Sequence, residues 1–131
     1  MTLPYRPAPG EVLICSFDDA ARGAEMIKRR PVVVVSCHAS HHRSLCTVVP
    51  ISTTAPSPVH QWHHALPGFI VPGWTANATM WAKCDMLATV SFDRLNAPYL
   101  KSRSGRRYLV HALPQADLEA VRRCVRFYLG L

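Results

Sequence analysis

Arg29-Arg30-Pro31 runs into the apolar segment PVVVVSC (31–37), and Pro50-Ile51-Ser52-Thr53-Thr54 closes another, LCTVVPI (45–51). If these segments are strands of an antiparallel hairpin, the start of the first lies beside the end of the second. Arg30 then meets Ser52 at one edge of the sheet. A guanidinium offers charge and fixed N–H donors, and hydroxyls beside it complete a plausible phosphate site. The same residues also read as an ordinary charged strand start and an ordinary polar turn, and on pattern alone that plainer reading stands ahead.

The other chemistry-bearing residues narrow the choices. Cys37, His38, His41, His42 and Cys46 crowd one turn, and His60, His63 and His64 crowd another. Zinc sites usually announce themselves as a C-x-x-C pair joined to a second pair of ligands, and no C-x-x-C occurs. These histidines read better as polar loop residues or contacts to a ligand, and neither a metal nor a cofactor is expected. The eight carboxylates include one adjacent pair, Asp18-Asp19, in a loop. A two-metal nuclease gathers several carboxylates around its ions, so that class is disfavoured, while metal-free cleavage of nucleic acid stays open. Walker A, G-x-G-x-x-G and G-x-S-x-G motifs are absent. None of the five scattered cysteines stands out as a nucleophile, and they read as reduced, mostly buried thiols.

The elements that must position these residues follow from periodicity. Residues 1–8 form an extended arm rich in proline, and GEVLICSF (10–17) alternates as a first strand. The β-branched run 31–37 suits a strand buried on both faces. Pro50 near the end of 45–51 points to an edge or a bulge. Residues 55–77 form a long loop region with one short strand expected around 59–64. Residues 78–90 carry further strand, SFDRL (91–95) a helical turn, Lys101 to Arg107 a basic loop, and RYLVH (107–111) a last strand. From Pro114 onward Leu118, Val121, Val125 and Leu129 make the apolar stripe of a terminal helix. Short strands plus one helix suggest a small, strongly curved, barrel-like sheet capped by the helix.

Composition sets the outer bounds. A chain of 131 residues, about half apolar, fits one domain over 1–131 with a buried core. No apolar run approaches the ~18 residues of a membrane span, and the N-terminus lacks a secretory h-region, so a cytoplasmic protein is expected. The formal charge is +7, and residues 101–131 carry +5 of it. A clustered positive field attracts polyanions, nucleic acid above all. A solvated helix face or a surface for an acidic protein would carry the same charge.

In order and spacing, PGEVLICSFDD (9–19), GAEMIKRRPVVVVS (23–36), CTVVPISTT (46–54), WAKCDMLATVSFDRL (81–95) and ADLEAVRRCVRFYLGL (116–131) resemble the PemK/MazF family of toxins from bacterial toxin–antitoxin pairs. The resemblance implies a mainly β chain with a C-terminal helix, a small SH3-like curved β-barrel of the PemK/MazF/CcdB type, usually a homodimer. It implies an endoribonuclease that cuts single-stranded RNA without metal, leaving 2′,3′-cyclic phosphate and 5′-hydroxyl ends, and that is neutralised by a cognate antitoxin. The family's catalytic arginine matches Arg30, and its catalytic threonine falls on Ser52, with Thr53 beside it. Its acidic positions match Glu25 and, in the penultimate strand, Asp85. Lys28, Arg29, Lys83 and Asp85 are the expected RNA-binding residues, with Trp62, His63 or Trp74 stacking on unpaired bases. The sequence departs from the family pattern with Ser for Thr at 52, and with Met86 and Ala88 where a polar and a basic residue are common. The competing reading is a non-catalytic relative of the same fold that binds RNA or a protein target such as gyrase.

Overall fold

The computed structural model describes residues 3–17, 29–37, 43–74 and 79–131. Among these residues, nine strands and one long helix follow in chain order. They are β1 (Val12–Ser16), β2 (Arg29–Val34), β3 (Leu45–Ser52), β4 (His63–Leu66), β5 (Met80–Lys83), β6 (Ala88–Ser91), β7 (Leu95–Asn96), β8 (Tyr99–Ser102), β9 (Gly105–Tyr108) and α1 (Gln115–Leu129). Seven strands form one antiparallel sheet along the path β4-β5-β3-β2-β1-β7, with β6 also on β3. β8 and β9 form a separate hairpin. The result is the expected mainly β chain with a C-terminal helix, although the sheet does not close into a barrel among the described residues, since β4 and β7 end its path.

β3 organises the sheet. One side pairs with β2, from Val34↔Val48 to Val32↔Pro50. The other side pairs first with β6, Leu45↔Ser91 to Val48↔Ala88, and then with β5, Ile51↔Ala82 and Ser52↔Trp81. Between these two ladders the segment joining β5 to β6 makes a 3-10 turn, Cys84–Met86. Pro50 lies at this interruption, where β3 needs no N–H for a continuous ladder.

Alternation splits the apolar residues between two layers. Val12, Ile14, Val33, Val49, Ile51, Leu66, Met80 and Ala82 pack on the α1 side, with Leu113 and Val121. Leu13, Cys15, Val32, Val34, Val48 and Val90 pack on the other side, under Leu3, Phe92 and Leu95. Both faces of β2 are therefore covered, and Val32, Val33 and Val34 are fully buried. This explains a β-branched run without polar alternation.

Several boundaries shift, first that of β2, which spans Arg29–Val34 rather than 31–37. The short strand expected over 59–64 is β4, His63–Leu66. The basic loop expected over 101–107 is part of the β8–β9 hairpin, which turns at Arg103 and Ser104 and enters β9 at Gly105 with φ of 113°. The last strand expected over 107–111 is β9, Gly105–Tyr108. The terminal helix stands where its apolar stripe puts it, burying Leu118, Ala120 and Val121 and ending at Gly130 in the left-handed conformation.

Candidate functional site

The register of the β2–β3 hairpin, carried two residues beyond Val32↔Pro50, sets Arg30 opposite Ser52. Strand alternation fixes which way each side chain goes. Val32 and Val34 face away from α1, and so does Arg30; Val48 faces away from α1, and so does Ser52. On β5, Met80 and Ala82 face the helix, which turns Trp81 and Lys83 to the Arg30 side. On β4, Leu66 packs toward α1 and His64 reaches its Asp117, Nε2 to Oδ1 3.0 Å, so His63 and Ala65 face the other way. Arg30, Ser52, Trp81, Lys83 and His63 thus share one face at one end of the sheet, opposite α1.

Ser52 is 5 % exposed. Its Oγ accepts a hydrogen bond from the Thr54 N–H at 3.0 Å. That bond fixes the hydroxyl through one lone pair and leaves its O–H to donate. Thr53 and Thr54 are exposed and Arg30 is half-buried. Beyond them, Pro56, Ser57, Pro58, His60, His63, Lys83, Asp85 and Met86 line a cavity of about 390 Å³. The His60 N–H donates to Nδ1 of His63 at 3.0 Å, so neutral His63 carries its proton on Nε2. Nε2 stands 3.6 Å from Asp85 Oδ1, too far for a hydrogen bond, and that oxygen is buried without one. Burial lowers the His63 pKa below the usual imidazole value, opposed by the Asp85 charge.

The remaining expected residues separate. Arg29, next to Arg30, faces the α1 side of the sheet and lines a different cleft with Tyr99 and Lys101. Trp62 packs against α1, its ring 6.2 Å from Phe127 and 5.7 Å from Tyr128, and stacks on His60 at 4.3 Å. Asp85, expected in a strand, lies in the 3-10 turn Cys84–Met86, where the inserted turn lifts it beside His63. Glu25 and Lys28 lie outside the described residues, as do Asp18, Asp19, His38, His41 and His42. Trp81, directly across from Ser52, was not singled out from the sequence. Its signal lies in the strand itself, where buried Met80 and Ala82 alternate with half-buried Trp81 and Lys83.

Two further chemistries can be weighed here. Among the described residues, no three His, Cys, Asp or Glu side chains gather as metal ligands. Burial pushes the Cys15 thiol up to about 12 and Cys46 up to about 11, so neither supplies a thiolate at neutral pH.

The profile of the PemK-like, MazF-like toxins of type II toxin–antitoxin systems matches residues 8–129, and the chain belongs to that family. The Escherichia coli (strain K12) uncharacterized protein YifN is 28 % identical over 144 residues, covering 95 % of this chain and 93 % of its own. Among solved structures, MazF from Deinococcus radiodurans superposes with a TM-score of 0.63 at 22 % identity, covering 97 % of this chain and 99 % of its own. A mycobacterial endoribonuclease solved with its cognate antitoxin gives 0.62 at 19 % identity, covering 95 % and 96 %. At these identities the structural matches establish the fold. No described helix is long and apolar enough to cross a membrane.

Proposed function

We propose that this toxin is a metal-independent endoribonuclease acting on single-stranded RNA, and that Arg30 and Ser52 carry the reaction. The observation behind this reading is their convergence on one face at the end of the β2–β3 hairpin. In the reaction the RNA 2′-oxygen attacks the adjacent phosphorus and the P–O5′ bond breaks. One proton leaves O2′ for a base and another reaches O5′, giving 2′,3′-cyclic phosphate and 5′-hydroxyl ends. Charge builds on the non-bridging oxygens, where a guanidinium and a hydroxyl donor are worth most. Arg30 neutralises that charge and the free O–H of Ser52 donates to one oxygen, with Thr53 adjacent. Glu25 is assigned to orient Arg30 or to act as base.

Lys83 and Trp81 extend the same face with a cation and a ring, which suits the phosphates and bases of an unpaired strand. The buried, unbonded Oδ1 of Asp85 supplies an acceptor for a base N–H in the cavity that His63 lines. A cognate antitoxin with an acidic segment and a homodimeric toxin complete the reading.

The nature of the ends tests it. Purified protein and single-stranded RNA, in EDTA, are expected to give fragments whose 5′ ends accept phosphate from a polynucleotide kinase without prior dephosphorylation. Intact RNA from folded protein supports the non-catalytic binder instead.

A further inference from the structure

On the α1 side of the sheet, and thus across it from Ser52, lies a cleft of about 420 Å³ that the cleavage chemistry does not use. Its floor is Ile14 and Pro72, and its walls are Trp74, Tyr99, Arg29 and Lys101. The β8–β9 hairpin builds one wall. The other is the loop at Gly73, which has φ of 84° and runs so close to β8 that a Cβ there would stand 3.0 Å from the Tyr99 carbonyl oxygen.

Tyr99, on the cleft wall, stands among cations. Arg29 and Lys101 line the cleft with it, and the guanidinium of Arg106 lies 4.4 Å from the centre of its ring. Tyr108 packs on the same ring at 5.6 Å. Hydrogen bonding toward Arg29, with the fields of Arg106 and Lys101, draws the Tyr99 phenol below its usual range. Among the described residues no carboxylate forms an ion pair with Arg29, Lys101 or Arg106. A pocket with an apolar floor, an indole wall and cations at its rim has the chemistry of a nucleotide site, and its volume lies in the range of small-ligand clefts.

The geometry points to a second single-stranded RNA subsite here, with Trp74 against a base and Arg29 and Lys101 on its phosphate. The subsite rests on the reading of RNA as the substrate. Arg29 and Arg30 are consecutive residues on opposite faces of β2. An RNA strand draped over the start of β2 would therefore be cut on one side and gripped on the other. The pairing Lys101↔Arg106 also puts Arg106 on the same face of the hairpin as Lys101.

The test uses the full chain carrying Arg30→Ala, which keeps bound RNA intact. A fluorescein-labelled single-stranded 20-mer is titrated across a salt series, with and without Lys101→Ala or Trp74→Ala. Lys101→Ala is expected to flatten the slope of log affinity against log salt by about 0.7, one phosphate's share for a single strand. Trp74→Ala is expected to weaken binding about tenfold, within the span of a lost base–aromatic stack. Lys101 is exposed, so its variant remains informative where Trp74→Ala fails to fold. Unchanged affinity and slope in a parent that binds RNA would overturn the subsite and leave the nuclease reading standing. A parent that neither binds nor, with Arg30 restored, cuts RNA would sink both. Loss of binding to a labelled polyglutamate peptide, with RNA binding unmoved, would overturn the RNA subsite and make this a surface for an acidic protein.

Discussion

Ser52→Ala separates a structural role for this serine from a chemical one. Among the described residues the hydroxyl does one thing: Oγ receives the Thr54 N–H at 3.0 Å. Thr54 is exposed, so its N–H recovers a water partner once the hydroxyl is gone. The stability cost is then about 1 kcal/mol, that of one ordinary hydrogen bond. For a chain of this length that corresponds to a fall of about 3–5 °C in melting temperature. With a native stability of about 5–15 kcal/mol, such a change leaves almost every molecule folded at 25 °C. If the O–H also steadies the charged phosphorane, its loss should slow cleavage about 100- to 1000-fold, the usual effect of deleting one preorganised donor. The assay pairs thermal melts with single-turnover cleavage of one RNA, and includes Ser52→Thr, which keeps the hydroxyl. The expected pattern is a small loss of stability, a large loss of rate for Ala, and a rate within about tenfold of the parent for Thr. A melting temperature that falls while the rate stays within threefold would refute the reasoning and leave Ser52 a turn residue.

Other expectations follow from the same structure. Cleavage should survive excess EDTA unchanged; activity abolished by EDTA and restored by Mg²⁺ would contradict the Arg30–Ser52 chemistry. Because burial lowers the His63 pKa, the folded state binds fewer protons there than the unfolded chain. His63's contribution is therefore complete above the unfolded value near 6.5 and is lost as pH falls below it toward the folded value. His63→Gln should accordingly narrow the gap between melting temperatures at pH 7.5 and pH 5.5, and an unchanged gap would count against it. Ile51→Ala, at a fully buried β3 position under α1, should cost about 2–5 kcal/mol in urea unfolding. A value below 1 kcal/mol would mean that the α1-side layer is not the core.

The central hairpin was legible because its physics is local. A short β-branched run has few alternatives to a doubly covered strand, and once β2 and β3 pair, Arg30 and Ser52 have nowhere else to go. The divergence of Arg29 from Arg30 was hidden because the sequence suggested a strand starting at Pro31. Only when β2 starts at Arg29 does the two-residue period send the neighbours to opposite faces. The β8–β9 hairpin escaped for a related reason. Lys101, Arg103, Arg106 and Arg107 are exposed, so no apolar alternation marks a strand there. Asp85 was expected in a strand, but the 3-10 turn arises from the mismatch between the β5 and β6 ladders on β3, which no local pattern reports. Trp62 looked like a stacking ring, and its packing on Phe127 and Tyr128 depends on where the far end of α1 lies.

The most direct test of the account is primer extension on a long single-stranded RNA incubated in EDTA with the purified protein, beside Arg30→Ala of equal melting temperature. Discrete stops at 5′-hydroxyl ends with the parent, and none with Arg30→Ala, are the expected result. Equal cutting by both proteins, or no cutting by either, would contradict the assignment of Arg30 to the chemistry.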